Sequence, residues 1–276
     1  MVAWEVAIGR MRSVSDVNSE KFGVSVWAYS LLRKYAMSGL DRRFLNELLL
    51  ESVRQQKFSN SCSRLEDLYF FESEYDAHAA LERWGISGCR EFVAKVNFSV
   101  NRLTKVDSEW ITSYLDSDER DWMAHYWSGA VLGEKPLTEV LASGIGYIDR
   151  KDLRRRAYRS IIDRWPTSTP LLAMACCAFA EYGLEDIALV RPAIFKWERS
   201  IEGAHFIDLR DLNLHEEKIV KALSSCKFRS EIPPVILPDD DSSFFSLPDL
   251  SEMDFSFVND DCLTEFQSIH QSANKF

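Results

Sequence analysis

The chain has 276 residues, 46% of them apolar and 12% aromatic, enough to bury one large or two small cores, which excludes a disordered or fibrous chain. No run of eighteen apolar residues occurs, and the opening MVAWEVAIGRMR lacks the basic, apolar, small-residue order of a signal peptide, so a cytoplasmic chain with no membrane contact is expected. The net charge of -10 is unevenly placed: residues 231–276 hold ten Asp and Glu against one Lys, or -9, which leaves the first 230 with 33 acidic and 32 basic groups. An acidic total therefore does not exclude nucleic acid as a target of the nearly neutral body.

In chain order, AWEVAI alternates and reads as a strand ending at Gly9. From Val24 to Gln56 apolar residues recur at helical spacing, with a break at Ser38-Gly39. Phe58 to Arg64 is a polar loop, and Leu65 to Phe71 is a short apolar run suited to a buried strand. SEYDAHAALERWG reads as a helix capped by Ser73, with Asp76 three residues on and Gly85 as the stop. REFVAKVNFS alternates as a strand with Phe92, Val96 and Phe98 among its apolar positions.

Asp118 to Gly129 is expected to be a short helix, because Leu115, Trp122 and Tyr126 fall on one side of it. After the turn from Gly133 to Pro136, TEVLASGIGYI reads as a helical or extended piece followed by the strand Ile145 to Ile148. Residues 154–223 are expected to be mainly helical, with LLAMACCAFAEYG as a buried helix and LHEEKIVKAL as an amphipathic one. Between them IALVRPAIFKW and AHFIDL could each contribute a strand, with helix or strand undecided on pattern alone. The tail holds four of the eight prolines, the run Asp239-Asp240-Asp241 and six phenylalanines, a composition without a packed core of its own. It suits docking onto a partner protein or back onto the body, or a solubilising role alone.

These elements amount to an α+β fold: a small mixed sheet with helices in residues 1–150, a mainly helical region over 151–230, and an acidic, aromatic-containing tail over 231–276. The six cysteines show no CxxC spacing and the five histidines no metal-ligand spacing, so reduced thiols and no metal are expected. P-loop, GxGxxG, HExxH and GxSxG signatures are absent.

Three segments carry candidate chemistry. In HYWSGAVLGEKPLTEVLASGIGYI, Glu139 stands directly before an apolar run, where a hydrophobic wall can raise a carboxyl pKa or orient the group for charge stabilisation; the alternative is a Glu that starts a helix after Pro136. In SCSRLEDLYFFESEYDAHAALERW, Ser63, Arg64 and Tyr69 offer a hydroxyl, a guanidinium and a phenol to the phosphates and rings of a nucleotide; the alternative is a surface Arg64 and a core Tyr69. At Gly9-Arg10-Met11-Arg12, the two arginines suit a pyrophosphate or are simply solvated.

Taken in order, these segments resemble the ADP-ribosyltransferase superfamily, in the manner of divergent bacterial or phage members, over residues 4–148. The likeness is carried by SRLEDLYFFESEYDAHAALERW, REFVAKVNFSVNRLTKVDSEWI and YWSGAVLGEKPLTEVLASG. It implies an NAD-dependent transferase in which Glu139 matches the catalytic glutamate and Tyr69 and Ser63 match the central-strand position. Arg10 then matches the first-strand residue, with Arg12 and Arg64 competing for the NAD phosphates. Leu137 stands two residues before Glu139, where arginine-directed members carry Glu or Gln, and no Ser-Thr-Ser triplet is present. The resemblance implies NAD as a substrate, a protein or nucleic-acid acceptor, and a role as a toxin, defence or counter-defence effector. The competing expectation is a non-enzymatic interaction or inhibitor protein acting through its acidic aromatic tail.

Overall fold

A computed structural model describes residues 3–16, 23–39, 42–183, 185, 187–197, 200–208, 216–225 and 244–258. Its elements in chain order are α1 (Ala3–Ile8), β1 (Arg10–Arg12), α2 (Val26–Ser38), α3 (Arg42–Lys57), β2 (Leu68–Phe70), α4 (Glu74–Arg83), β3 (Val96–Asp107), α5 (Glu109–Tyr114) and α6 (Trp122–Trp127). They continue with β4 (Thr138–Ile148), α7 (Lys151–Arg164), α8 (Thr169–Tyr182), β5 (Val190–Trp197), β6 (Ser200–Asp208), α9 (Glu216–Ser225), β7 (Phe244–Ser246) and β8 (Phe255–Val258). The protein is mixed α and β, as its patterning predicts. Among the described residues no helix is long and apolar enough to cross a membrane.

Among the described residues two four-stranded sheets share one plan, and every strand pair is antiparallel, which corrects the expectation of a mixed sheet. In the first, β4 is central and pairs with β3 from Asp107↔Thr138 to Val96↔Ile148. Its other edge is divided end to end between β2 (Tyr69↔Leu141) and β1 (Arg10↔Tyr147). The register slips between Val100 and Arg102, opposite Gly144, whose φ is +143°. A Cβ on Gly144 would collide with the Ser99 carbonyl, so only glycine lets β3 approach there. In the second sheet, β6 pairs with β5 along its length and with β7 and β8 on its other edge.

Several expectations change. AWEVAI is a helix, because Trp4, Ala7 and Ile8 recur at helical spacing and bury one stripe against α7 and α8. TEVLASGIGYI is one continuous strand, so Glu139 does not start a helix. Phe92 lies in a 3-10 turn, Ser87–Phe92, ahead of β3 rather than within it. The helix expected over 118–129 is confined to α6. α4 is capped as its sequence predicts: the Ser73 hydroxyl accepts from the Asp76 amide at 3.1 Å. IALVRPAIFKW and AHFIDL, undecided between strand and helix in the sequence, are both strands and form the β5–β6 hairpin.

Residues 244–258 of the acidic tail dock back onto the body. Phe255 is buried against α2, and a Cβ on Gly203 would sit inside its ring, so that glycine makes the seat. The Tyr29 hydroxyl donates to the Met253 carbonyl at 3.0 Å, and Arg164 pairs with Glu252 at 3.0 Å. The expectations that concern residues 231–243 and 259–276, with Asp239 to Asp241, Phe266 and Phe276, lie outside the described residues, as do His215 and Cys226.

Among the described residues the apolar core falls into three clusters. One joins α1, α7, α8 and the Val190/Ile207 end of the β5–β6 hairpin. A second joins α2, α3, Ile194, Ile201 and Phe255. The first two each draw residues from both sides of residue 150. A third, under the first sheet, gathers Leu50, Leu115, Trp122, Tyr126, Trp127 and Leu141.

Candidate functional site

The site sits where the second and third clusters meet, at the end of β4 that carries Glu139. Glu139 is the second residue of β4 and lies opposite Val106 of β3; on the other side of β4, β2 brings Tyr69 opposite Leu141. The loop before β2 delivers Arg64 beneath them. Arg64 is 3% exposed, and its Nε donates to Glu47 Oε1 at 2.6 Å while Nη1 donates to the Tyr126 hydroxyl at 2.7 Å and to Glu139 Oε2 at 3.2 Å. The rings of Trp27, Tyr69 and Tyr126 surround the guanidinium at 5.4, 5.3 and 5.5 Å. The Tyr69 hydroxyl donates to the Arg64 carbonyl at 2.6 Å, which fixes the loop against the strand.

One cation thus stands between two carboxylates in a mostly dry setting. Burial pushes the Glu139 carboxyl above its ordinary range; Arg64 opposes this and Glu47 reinforces it. Burial also works against the Arg64 charge, but Glu47, Tyr126, Tyr69 and Glu139 outweigh it and hold the guanidinium protonated. Both phenols are raised by burial and stay neutral. Two polar atoms bordering Arg64 are buried without a hydrogen-bond partner: Trp27 Nε1, a donor, and Glu47 Oε2, an acceptor. The Glu139 side chain retains 11% exposure and Trp27 and Tyr69 are half-buried, so the cluster reaches the surface along that edge.

Of the residues singled out in the sequence, Glu139, Tyr69 and Arg64 converge. Ser63 adjoins Arg64 in the chain, but its hydroxyl accepts from the Leu65 amide at 3.1 Å and bonds the Glu51 carboxylate, so it organises the loop. Arg10 and Arg12 are not brought to this cluster. They pair with Tyr147 and Ile145, six to eight residues along β4 from Glu139, or ~20–27 Å at ~3.4 Å per residue. That exceeds the span from a nicotinamide ribose to the pyrophosphate of the same dinucleotide. Arg10 instead donates to the carbonyls of Gly183, Glu185, Ile187 and Ala188, and Arg12 pairs with Asp16 at 3.2 Å. A small pocket at the seam of β1 and β5 is lined by Glu5, Arg10, Arg12 and Arg191, remote from Glu139.

The sequence pattern did not point to Glu47, Trp27 and Tyr126 as members of the site. Glu47 had a usable signal: it lies on the same buried stripe of α3 as Phe44, Leu48 and Glu51, and a carboxylate on an apolar stripe requires a buried partner. Tyr126 read as an ordinary apolar helix position. Among the described residues, no group of three His, Cys, Asp or Glu side chains is placed to hold a metal ion. Comparisons with protein-family models, with curated proteins and with solved structures find no match to this chain.

Proposed function

We propose that the chain is an NAD-dependent ADP-ribosyltransferase whose reacting centre is the Glu139 edge of the Arg64 cluster. The observation that carries this reading is the convergence of Glu139, Tyr69 and Arg64, separated by up to 75 residues in sequence, into one buried, aromatic-walled constellation. Cleavage of the bond between nicotinamide and ribose develops positive charge on the sugar, and a carboxylate held by a fixed guanidinium stabilises that charge without a metal. The faces of the half-buried Trp27 and Tyr69 at this edge suit the planar ring of nicotinamide. Arg10 and Arg12 have no part in this reading; their roles are structural.

The test is NAD turnover by the intact chain, followed as nicotinamide release, with labelled NAD offered to whole-cell protein and RNA to catch the acceptor. Glu139→Ala is expected to abolish turnover while the far-UV circular dichroism of the parent is kept. Absence of NAD binding and turnover in the intact chain refutes the reading. One observation favours a second reading: a carboxylate paired with Arg64 and only 11% exposed is also what a purely structural ion-pair network presents. In that case the chain is a non-enzymatic interaction protein, and the acidic tail outside 244–258 is its first candidate contact.

A further inference from the structure

The surface formed by α7 and the preceding 3-10 turn Ser87–Phe92 has no part in the Arg64 cluster. Residues 150–164 carry seven basic side chains against two acidic ones, in a chain whose net charge is -10. Lys151, Arg155 and Arg159 are exposed and lie at i, i+4 and i+8, so they form one stripe with ~6 Å of rise per step. No ion pair engages these three among the described residues, whereas Arg154 is turned inward, donating to the Ile8 carbonyl at 2.7 Å. The acids that face the stripe's first turns are already engaged: Asp152 with Arg150 at 3.2 Å and Glu91 with Arg156 at 2.6 Å. Asp163 stands exposed at the far end of α7.

An exposed ring stands beside this charge. Arg150 donates to the carbonyls of Glu91 and Val93 at 3.0 and 2.8 Å, clamping the 3-10 turn to the start of α7. Phe92 is 51% exposed with the Arg156 guanidinium 5.3 Å from its ring centre. Trp84, at the end of α4, and Ile86 are 43% and 46% exposed. From residue 72 to residue 105 Ala80 alone is buried, so this excursion exposes aromatic surface that its own chain leaves uncovered.

We infer that the Lys151/Arg155/Arg159 stripe and the adjoining Phe92 form a docking surface for single-stranded nucleic acid. The stripe's step is on the scale of the repeat between successive phosphates, and an arginine-backed exposed ring offers a stacking platform that every base can use. A duplex hides its base faces and meets only the charge. The surface lies beyond the end of β4 opposite to Glu139, so it binds whether or not the chain turns over NAD. If both hold, it names nucleic acid as the acceptor class.

The test is fluorescence anisotropy of labelled single-stranded RNA and DNA of about 20 nucleotides, longer than a ~4–16-nucleotide site, with the full chain and no NAD. Saturable binding that weakens steeply with salt is expected. Replacing both Arg155→Glu and Arg159→Glu weakens it by at least ~10-fold and lowers the logarithmic salt slope by about 1.4, two phosphate contacts at ~0.7 each. Phe92→Ala weakens binding by about 5-fold or more and leaves that slope unchanged. Circular dichroism of both variants should match the parent, since all three side chains are exposed; Arg155→Ala with Arg159→Ala serves if it does not. The inference is overturned by absence of binding at low salt, by preference for duplex, or by binding indifferent to Arg155 and Arg159. Displacement by polyglutamate as readily as by unlabelled oligonucleotide also overturns it, in favour of an acidic protein partner.

Discussion

Arg64→Met removes the cation from between Glu47 and Glu139 while keeping an unbranched side chain against Trp27, Tyr69 and Tyr126. Arg64 and Glu47 are 3% and 1% exposed, so water cannot take over the lost partner. Breaking a buried pair in this way costs about 3–5 kcal/mol. For a chain of this size each kcal/mol lowers the melting temperature by about 2–4 °C, so a fall of about 10 °C is expected at pH 8. The cost must depend on pH. Burial already raises the folded pKa of Glu139 above its ordinary 4.5, and loss of Arg64, which lowers it, raises it further. A carboxyl whose folded pKa is raised contributes stability that is complete below its unfolded pKa and is lost as pH rises through the folded value. The variant should therefore lose distinctly less at pH 5 than at pH 8, read from urea unfolding midpoints with an unchanged denaturant slope. Adding Glu139→Gln should recover part of the loss at pH 8. A loss below about 1 kcal/mol at both pH values, or the same loss at both, refutes the buried-charge account.

Two further outcomes follow from other buried polar groups. Asp107 closes β3 by accepting from the amides of Glu109, Leu132 and Leu137 at 3.1, 2.7 and 2.9 Å; Asp107→Ala strands all three, should cost at least ~3 kcal/mol, and should speed hydrogen exchange at Leu132 and Leu137. His205 is 2% exposed, 4.6 Å from the Tyr29 ring, and burial lowers its pKa to about 4. A lowered histidine contributes stability that is complete above about 6.5 and is lost as pH falls toward 4, so His205→Phe should flatten that part of the acid limb in urea midpoints at pH 7 and 4.5. Burial raises the Asp254 carboxyl to about 6, which acts in the opposite sense, but Asp254 is present in both proteins and its effect largely cancels in the difference.

Elements whose cause is local are legible in the sequence itself. The Ser73 cap, the break between α2 and α3 at Ser38-Gly39, and the strand character of Leu68–Phe70 each follow from a few neighbouring residues, because capping and stop signals act within one turn. AWEVAI is not legible in this way: six residues satisfy a two-residue period and a 3.6-residue period together, and only the groove between α7 and α8 selects the helix. The β5–β6 hairpin is undecided in the sequence for the same reason.

The candidate site divides along the same line. Sequence alone determined that Glu139, Tyr69 and Arg64 stand beside apolar runs, because that is a property of immediate neighbours. It also determined that the acidity belongs to the tail and not to the body. Only the tertiary structure decided that Arg64 faces Glu47 as well as Glu139, that Arg10 is spent on four backbone carbonyls, and that part of the acidic tail completes the second sheet. A buried charge takes whichever partner the fold carries within ~3 Å, and chain separation says nothing about that distance.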